Sequence, residues 1–268
     1  MTRVRRPRSA RRGIRLVPSP VRAAALLALL AALLAAYGLA TAPVFGIQRI
    51  DVSPLRWTDR AAVLAGLGVE AGTNAFRLST AGLAERLERL PTVASATVSV
   101  ALPDRLTVSI TERTPILAWR AGTTTFLVDR DGMLFAMASQ APDAAAALPV
   151  IDDRRSTSRL VVTLGAEIDP VDLDAATRLA SLTPADIGST ATALAVVVTD
   201  ADGFVLTTRP ASWTAVFGSY GHVLRSPDLI PGQVRLLKSL LFGREAQVAR
   251  VVLADDRNGT YVPLASPR

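Results

Sequence analysis

The feature that most constrains this chain is an uncharged run of twenty residues, from Ala23 to Ala42, made mainly of alanine and leucine. A helix rises about 1.5 Å per residue, so a run of this length is about 30 Å long and matches the hydrocarbon core of a bilayer. A helix also satisfies its own backbone polar groups, as lipid requires. We therefore predict a single transmembrane helix over residues 23–42.

The charges that flank this run predict its orientation. Every charged residue before it is an arginine, and the first acidic residue of the chain is Asp51. Positive charge beside a first helix stays in the cytoplasm. We therefore predict a basic, disordered cytoplasmic tail over residues 1–22 and an extracytoplasmic remainder. The topogenic arginines are Arg3, Arg5, Arg6, Arg8, Arg11, Arg12, Arg15 and Arg22.

A cleaved signal peptide is the main alternative to a retained helix. The sequence Ala40-Thr41-Ala42 has the small-x-small form of a cleavage site. The apolar run is longer than the usual signal core of about 7–15 residues. Pro43 would also follow the cut directly. These two features favour retention of the helix.

Composition excludes several functional classes. The formal net charge is +7, but without the eight N-terminal arginines the 30 basic residues fall to 22, against 23 acidic residues. This nearly neutral remainder gives no reason to expect nucleic-acid binding. The chain has no cysteine and a single histidine, His222, which excludes disulfides, thiolate metal sites and histidine-rich metal sites. We expect no cofactor and no metal.

The pattern that follows the apolar run predicts a small α+β unit. Residues 47–52 alternate between apolar and polar side chains, which indicates a short strand. Thr58 is a candidate N-cap for one helix, and Thr80 begins a second. Two further alternating strands are predicted over residues 96–101 and 106–110. The predicted order is β-α-α-β-β.

Two stretches of this unit resemble a known family. Residues 90–98, LPTVASATV, resemble the LP-x-V-x-x-A-x-V signature of a POTRA domain, and residues 103–115, PDRLTVSITERTP, resemble the run that follows it. After a single N-terminal membrane helix, they resemble the FtsQ/DivIB family of bacterial cell-division proteins. The resemblance implies a POTRA-like domain over residues 45–115. Its signature residues here are Pro91, Val93, Pro103, Leu106, Glu112, Arg113 and Pro115.

The signature residues also have structural explanations that need no catalysis. Pro91 ends a helix, because proline cannot continue the hydrogen-bonding pattern. Pro103 favours the turn between two strands. Glu112 and Arg113 place charge on a strand end, and Pro115 prevents the same ladder from continuing. We therefore expect structural roles for these residues.

The remaining sequence predicts a mostly antiparallel β-domain over residues 116–263, followed by a short tail over residues 264–268. Two helices are predicted, over residues 169–182 and 231–241. The alanine-rich stretch 138–147 is expected to be weakly structured. The other segments read as strands, with a hairpin turn at Asp131-Gly132: 116–120, 124–129, 133–137, 148–152, 159–164, 193–198, 203–208, 213–218, 248–253 and 260–262.

The family resemblance implies that the terminal strand receives a strand from a partner protein. We predict that residues 248–253 form the exposed edge of the sheet, with an ordinary central strand as the alternative. An open edge offers unpaired N–H and C=O groups for β-augmentation. The predicted partner-binding residues are Val248, Arg250, Val251, Val252, Leu253 and Tyr261.

No catalytic motif is recognisable. The sequence has no G-x-S-x-G elbow, P-loop or HExxH motif, and its paired aspartates lie in turn-like or strand-end contexts. We predict a non-enzymatic, single-pass membrane scaffold at the division septum, without a small-molecule substrate. The resemblance implies FtsB- and FtsL-type bitopic partners and the septal peptidoglycan synthase complex. A cell-wall hydrolase and a transport-associated POTRA chaperone are the alternatives.

Overall fold

The computed structural model describes residues 20–156, 162–221 and 225–264, and of residues 39–41 only the backbone. Several predicted features lie outside the described residues. They are all the topogenic arginines except Arg22, the single histidine His222, the first part of the predicted strand 159–164, and the tail residues 265–268. The chain forms two compact units. One takes its residues from Met1–Ile50, Val69–Leu78 and Val100–Leu106, and the other from Asp51–Gly68, Ser79–Ser99 and Thr107–Arg268.

Helix α1, Pro20–Thr41, covers the predicted transmembrane run and begins three residues before it. By length and composition it is the one helix in the described part of the chain that could cross a membrane, over Pro20–Gly38. A signal sequence would meet the same criteria. Its leucines from Leu26 to Leu34 are 53–67% exposed. Lipid-facing side chains are expected to behave this way.

A small three-stranded sheet follows, with the predicted β-α-α-β-β order. Its strand order is β1-β3-β2. Leu106, Val108 and Ile110 are buried at alternate positions, as the sequence pattern predicts. The elements are β1 Arg49–Val52, α2 Arg60–Leu67, α3 Thr80–Glu88, β2 Val93–Ala101 and β3 Arg105–Glu112.

The start of α2 differs by one residue from the prediction. Asp59, and not Thr58, is the N-cap, because its carboxylate accepts a hydrogen bond from the N–H of Ala61 at 3.0 Å. The N–H of Thr58 instead donates to the carboxylate of Glu112 at 2.7 Å. Gly68 ends the helix in the left-handed conformation, with φ of 58°. A distant carboxylate therefore decides where this helix begins.

The rest of the chain builds a nine-stranded sheet of order β12-β11-β10-β9-β8-β7-β4-β5-β6. Neighbouring strands are antiparallel except in the pairs β4–β7, β7–β8 and β10–β11. The prediction of a mostly antiparallel sheet is confirmed. The strands are β4 Leu117–Ala121, β5 Thr124–Val128, β6 Leu134–Met137, β7 Val150–Asp153, β8 Ala193–Thr199, β9 Gly203–Arg209, β10 Thr214–Gly218, β11 Val248–Leu253 and β12 Gly259–Pro263.

Two helices cover one face of this sheet and enclose its main core. They are α5, Pro170–Ala180, and α6, Ile230–Leu241. Asp169 caps α5, as predicted, by accepting from the N–H of Val171 at 2.8 Å. The largest buried side chains of this core include Trp119, Trp213, Phe204 and Phe217.

Two predictions about irregular segments are wrong. The alanine-rich stretch contains a 3-10 turn, Ala138–Gln140, and a short helix α4, Pro142–Ala146. Gln140 accepts a hydrogen bond from the N–H of Met137, which fixes the first turn, and proline is suited to the first position of the second. Residues 162–164, the described end of the predicted strand 159–164, are not in a strand.

Candidate partner-binding edge of the large sheet

The described part of the large sheet has two edge strands, β6 and β12, and β11 is not an edge strand as predicted, because β12 lies outside it. β11 is paired on both sides: it runs parallel to β10, with Val216 opposite Val252, and antiparallel to β12, with Tyr261 opposite Val251. The chain returns after Leu253 because the carboxylate of Asp255 accepts hydrogen bonds from the N–H groups of residues 257 and 258. This turn adds one more strand outside the predicted edge.

The six predicted partner-binding residues therefore lie in three different environments. Val248, Val251 and Leu253 are buried in the core that the helices cover. Arg250 and Val252 lie on the opposite face of the sheet and are half-buried. Tyr261 is the one predicted residue on the edge strand, and it is 41% exposed. The structure thus moves the candidate contact surface from β11 to β12.

The backbone of β12 has one side that faces no other described strand. The carbonyl of Asn258 accepts from the N–H of Ala254 at 2.9 Å, and the N–H of Leu264 donates to the carbonyl of Gln247 at 2.8 Å. Alternate residues of a strand direct their backbone groups to the same side, so residues 258, 260, 262 and 264 face β11. Gly259, Tyr261 and Pro263 face away from it.

Apolar side chains accompany this open backbone. Val262 is 52% exposed, Leu264 49% and Phe242, which follows α6, 84%. The guanidinium of Arg244 lies 5.5 Å from the ring centre of Tyr261. Exposed apolar side chains on and directly after an edge strand, as at Val262 and Leu264, favour contact with another protein.

Helix α6 holds the edge strand in place through two glycines. A Cβ at Gly259 would lie 3.1 Å from methyl groups of Leu236 and of Leu240, and a Cβ at Gly232 would lie 2.4 Å from the Cβ of Asp256. A side chain at Gly232 would force Asp256 to shift, and one at Gly259 would require the two leucines to move by a few tenths of an ångström. The β11–β12 hairpin therefore rests directly on the helix, which gives the edge a fixed position.

A buried network of hydrogen bonds around Gln233 of α6 also connects the helix to the β11–β12 hairpin. Gln233 of α6 donates to the carbonyls of Phe217, at 3.2 Å, and Leu253, at 3.4 Å. Its own carbonyl accepts from the hydroxyl of Tyr220 at 2.7 Å. Burial raises the pKa of Tyr220 above its ordinary value, so this hydroxyl remains a hydrogen-bond donor. The ends of β10 and β11 are thus tied to one helix residue.

The signature carboxylate Glu112 has a specific structural role. It accepts hydrogen bonds from the backbone N–H groups of Arg56 at 2.6 Å, Trp57 at 2.9 Å and Thr58 at 2.7 Å. Burial raises the pKa of Glu112, but hydrogen bonds from the Thr58 side chain and from these three N–H groups outweigh it and hold the pKa below its ordinary value. Glu112 therefore fixes the segment that leads into α2.

The next residue, Arg113, makes a different anchor. Its guanidinium donates to the carboxylate of Asp129 at 2.5 Å, and the two side chains are 14% and 6% exposed. Asp129 also accepts from the N–H groups of Asp131 and Met133. The other signature residues lie at a helix end, in the sheet core and at turns: Pro91, Val93, Pro103, Leu106 and Pro115.

Comparison with known proteins identifies the smaller sheet and its helices. Residues 45–113 match the family model described as "POTRA domain, FtsQ-type". Proteins named "Cell division protein FtsQ" align with 32% identity in Mycobacteroides abscessus, over 142 residues and 53% of this chain. The corresponding identity is 39% in Chloroflexus aggregans, over 102 residues and 38% of this chain. Residues 45–113 therefore form a POTRA domain of the FtsQ type, and the aligned part of the chain is similar to FtsQ cell-division proteins.

These alignments cover only part of each FtsQ relative. The chain spans 42% of the length of the Mycobacteroides protein and 36% of that of the Chloroflexus protein. A third FtsQ protein, from Streptomyces collinus, is 33% identical over 109 residues, which is 40% of this chain and 41% of the relative.

The acidic pairs of this FtsQ-type chain are engaged in structural contacts. Asp153 accepts from the indole N–H of Trp119 at 3.2 Å and pairs with Arg155 at 2.8 Å. Arg155 also pairs with Asp172 at 2.6 Å. These groups line a cavity of about 200 Å³ beside Trp119. Among the described residues, no group of three or more His, Cys, Asp or Glu side chains is placed to hold a metal ion.

Proposed function

We propose that this chain is a non-enzymatic, single-pass membrane scaffold of the bacterial division machinery. Its basic N-terminus lies in the cytoplasm, α1 anchors it, and its extracytoplasmic POTRA-like domain, residues 45–115, and β-domain, residues 116–263, bind other division proteins at the septum. The observation that carries the proposal is the open backbone of β12, in a chain that has an FtsQ-type POTRA domain.

The mode of binding that fits this edge is β-augmentation. Gly259 and Tyr261 offer outward N–H groups, and residues 259, 261 and 263 offer outward carbonyls, to an incoming strand. Val262 of β12 and Leu264 directly after it are exposed and supply apolar contacts at this edge. The partners that the family resemblance implies are FtsB- and FtsL-type bitopic proteins and, less directly, the septal peptidoglycan synthase complex.

Main-chain and side-chain contacts can be separated at Tyr261. Tyr261→Pro removes an outward N–H but leaves the β11–β12 ladder, because that N–H faces away from β11. Tyr261→Ala is the matched control, since it removes the ring and keeps the N–H. Co-purification of the full-length chain with FtsB- and FtsL-type proteins of the same cell should weaken about fivefold or more in Tyr261→Pro. Equal weakening in both variants would contradict binding through the main chain.

Localisation tests the scaffold role as a whole. A fluorescent protein fused to the N-terminus should form a band at the division site, and Tyr261→Pro should reduce recruitment of the FtsB- and FtsL-type proteins to that band. Uniform signal around the envelope would contradict a role at the septum. Release of the tag by cleavage near Ala42 would instead show that α1 is a signal peptide.

A further inference from the structure

The face of the large sheet that α5 and α6 leave uncovered carries an ordered apolar row. Val197 of β8 lies opposite Val205 of β9, Val205 lies opposite Val216 of β10, and Val216 lies opposite Val252 of β11. We name these four residues the valine row. They are aligned across four neighbouring strands, so they form one continuous apolar strip.

The alternation of side chains places this row on the face opposite the helices. Val196 and Val198, on either side of Val197, belong to the core against α5 and α6. The same holds for the residues that flank each of the other three valines. Since successive side chains of a strand point to opposite faces, the valine row points away from that core.

A groove of about 530 Å³ lies over the part of this row that belongs to β8 and β9. Val197 and Val205 are part of its lining and are each 8% exposed, so they form a recessed floor. The full lining consists of these two valines, three arginines, one aspartate, four threonines and one alanine: Arg154, Val197, Thr199, Asp202, Val205, Thr207, Thr208, Arg209, Ala211, Thr214 and Arg250.

The charges of the groove wall are mostly positive. Arg250 pairs with Asp202, the one carboxylate in the lining, at 2.6 Å. Arg154 pairs with Asp152 at 2.8 Å, but its side chain remains 64% exposed. Arg209 is exposed, and no described carboxylate pairs with it. The wall therefore keeps guanidinium donors available to an incoming anionic group.

We propose that this groove docks an acidic, amphipathic segment of a partner polypeptide. Guanidinium groups on the wall favour carboxylates, and the valine floor favours apolar side chains. A wholly polar anionic polymer would leave the floor without contacts, and a lipid surface does not enter a recessed groove. The valine row reaches β12, where Val252 lies opposite Thr260. The site goes beyond the proposed function, because side chains on the sheet face make the contact.

The test uses the full-length chain, with methyl-labelled valines, in nanodiscs of zwitterionic lipid. The probe is a short peptide of alternating glutamate and valine, followed by methyl NMR. Saturable shifts are expected at Val197 and Val205, which line the groove, and not at Val196 and Val198, which serve as an internal control on the opposite face. The absence of shifts at Val197 and Val205 would overturn the proposal.

The charges of the wall are tested by substitution. The double variant Arg154→Gln, Arg209→Gln should bind the peptide about tenfold more weakly. Arg178→Gln is the matched control, because Arg178 is an arginine of α5, paired with Asp174 and Asp228, and it should bind as the parent does. Equal affinity of the parent and the double variant would overturn the proposal. Unchanged Val196 methyl positions establish that the variant is folded.

Three further probes decide the chemistry of the occupant. A lysine–valine peptide should not bind, and polyglutamate should bind more weakly than the glutamate–valine peptide. Equal binding of polyglutamate, or the same methyl shifts with phosphatidylglycerol vesicles, would overturn the assignment to an amphipathic polypeptide. Tyr261→Pro should leave the titration unchanged, so failure at the groove and failure at the β12 edge can be told apart.

Discussion

Replacing Glu112 with glutamine should destabilise the segment before α2 although it changes only one oxygen. Oε1 accepts from the N–H groups of Trp57 and Thr58, and Oε2 accepts from the N–H of Arg56. A glutamine can keep its oxygen toward the first two donors. Its amide nitrogen then meets the N–H of Arg56, so that two donors face each other.

Glu112→Gln should lower the free energy of unfolding by about 2 kcal/mol. One hydrogen bond to a charged acceptor contributes about 1.5–3 kcal/mol, and the partial exposure of Glu112 places the value in the lower part of that range. For a chain of this size, the loss corresponds to a Tm lower by about 4–8 °C. Glu88→Gln is a matched control, because Glu88 is exposed and accepts from the N–H of Ala96 at 3.1 Å. It should cost less than about 0.5 kcal/mol.

The pH dependence gives a second, independent readout. The pKa of Glu112 is lower in the folded chain than in the unfolded chain. Its contribution to the free energy of unfolding is therefore complete above the unfolded pKa of about 4.3, and it is lost as the pH falls through the lower pKa of the folded chain. Denaturant unfolding of the full-length chain in detergent should therefore show a parent–Glu112→Gln difference at pH 7 that shrinks below about pH 4. A constant difference, or an equal effect of Glu88→Gln, would refute the reasoning.

Three other substitutions test separate supports of the β-domain by the same unfolding assay. Glu245→Gln should cost about 2 kcal/mol and alter Trp213 fluorescence, because the carboxylate accepts from the indole N–H at 2.9 Å; unchanged fluorescence would contradict that contact. Gly203→Ala should cost about 3 kcal/mol or more, since φ is 65° and the new Cβ would lie 2.4 Å from backbone atoms; a neutral result would show that the turn can move. Arg113→Ala and Asp129→Ala should each destabilise, with a coupling of about 1–2 kcal/mol in the double variant; additive effects would exclude the ion pair.

The sequence predicts the helices and strands of this fold well, because their starts and buried faces depend on residues that are neighbours in the chain. Alternating apolar residues at Leu106, Val108 and Ile110 predict a strand with one buried face, and the structure buries all three. Asp169 followed by proline predicts the start of α5, and the aspartate caps it. Each of these features depends on neighbours in the sequence.

Distant contacts explain what the sequence does not reveal. Thr58 is as good a candidate cap as Asp59 until its hydroxyl, the group that would cap the helix, hydrogen-bonds with the distant residues Thr92 and Glu112. Which strand lies outermost likewise depends on how the strands pair across the sheet. The predicted strand 260–262 is too short for its sequence to indicate that it forms the edge. Asp255 was the available signal, because an aspartate favours a turn by accepting from backbone N–H groups two and three residues on, and a turn there places one more strand outside β11.

The size of the β12 edge bears on how a partner would be held there. The strand has five residues, Gly259–Pro263, and only residues 259, 261 and 263 direct backbone groups outward. At about 1 kcal/mol net for each hydrogen bond, four or five such bonds contribute about 4–5 kcal/mol, which corresponds to a Kd near 1 mM before apolar contacts are added. The proposed bitopic partner, held in the same membrane as α1, would meet this edge at an effective concentration of about that order. A short edge is therefore sufficient for a membrane-anchored partner and insufficient for a free peptide, so anchoring by α1 would contribute directly to binding at β12.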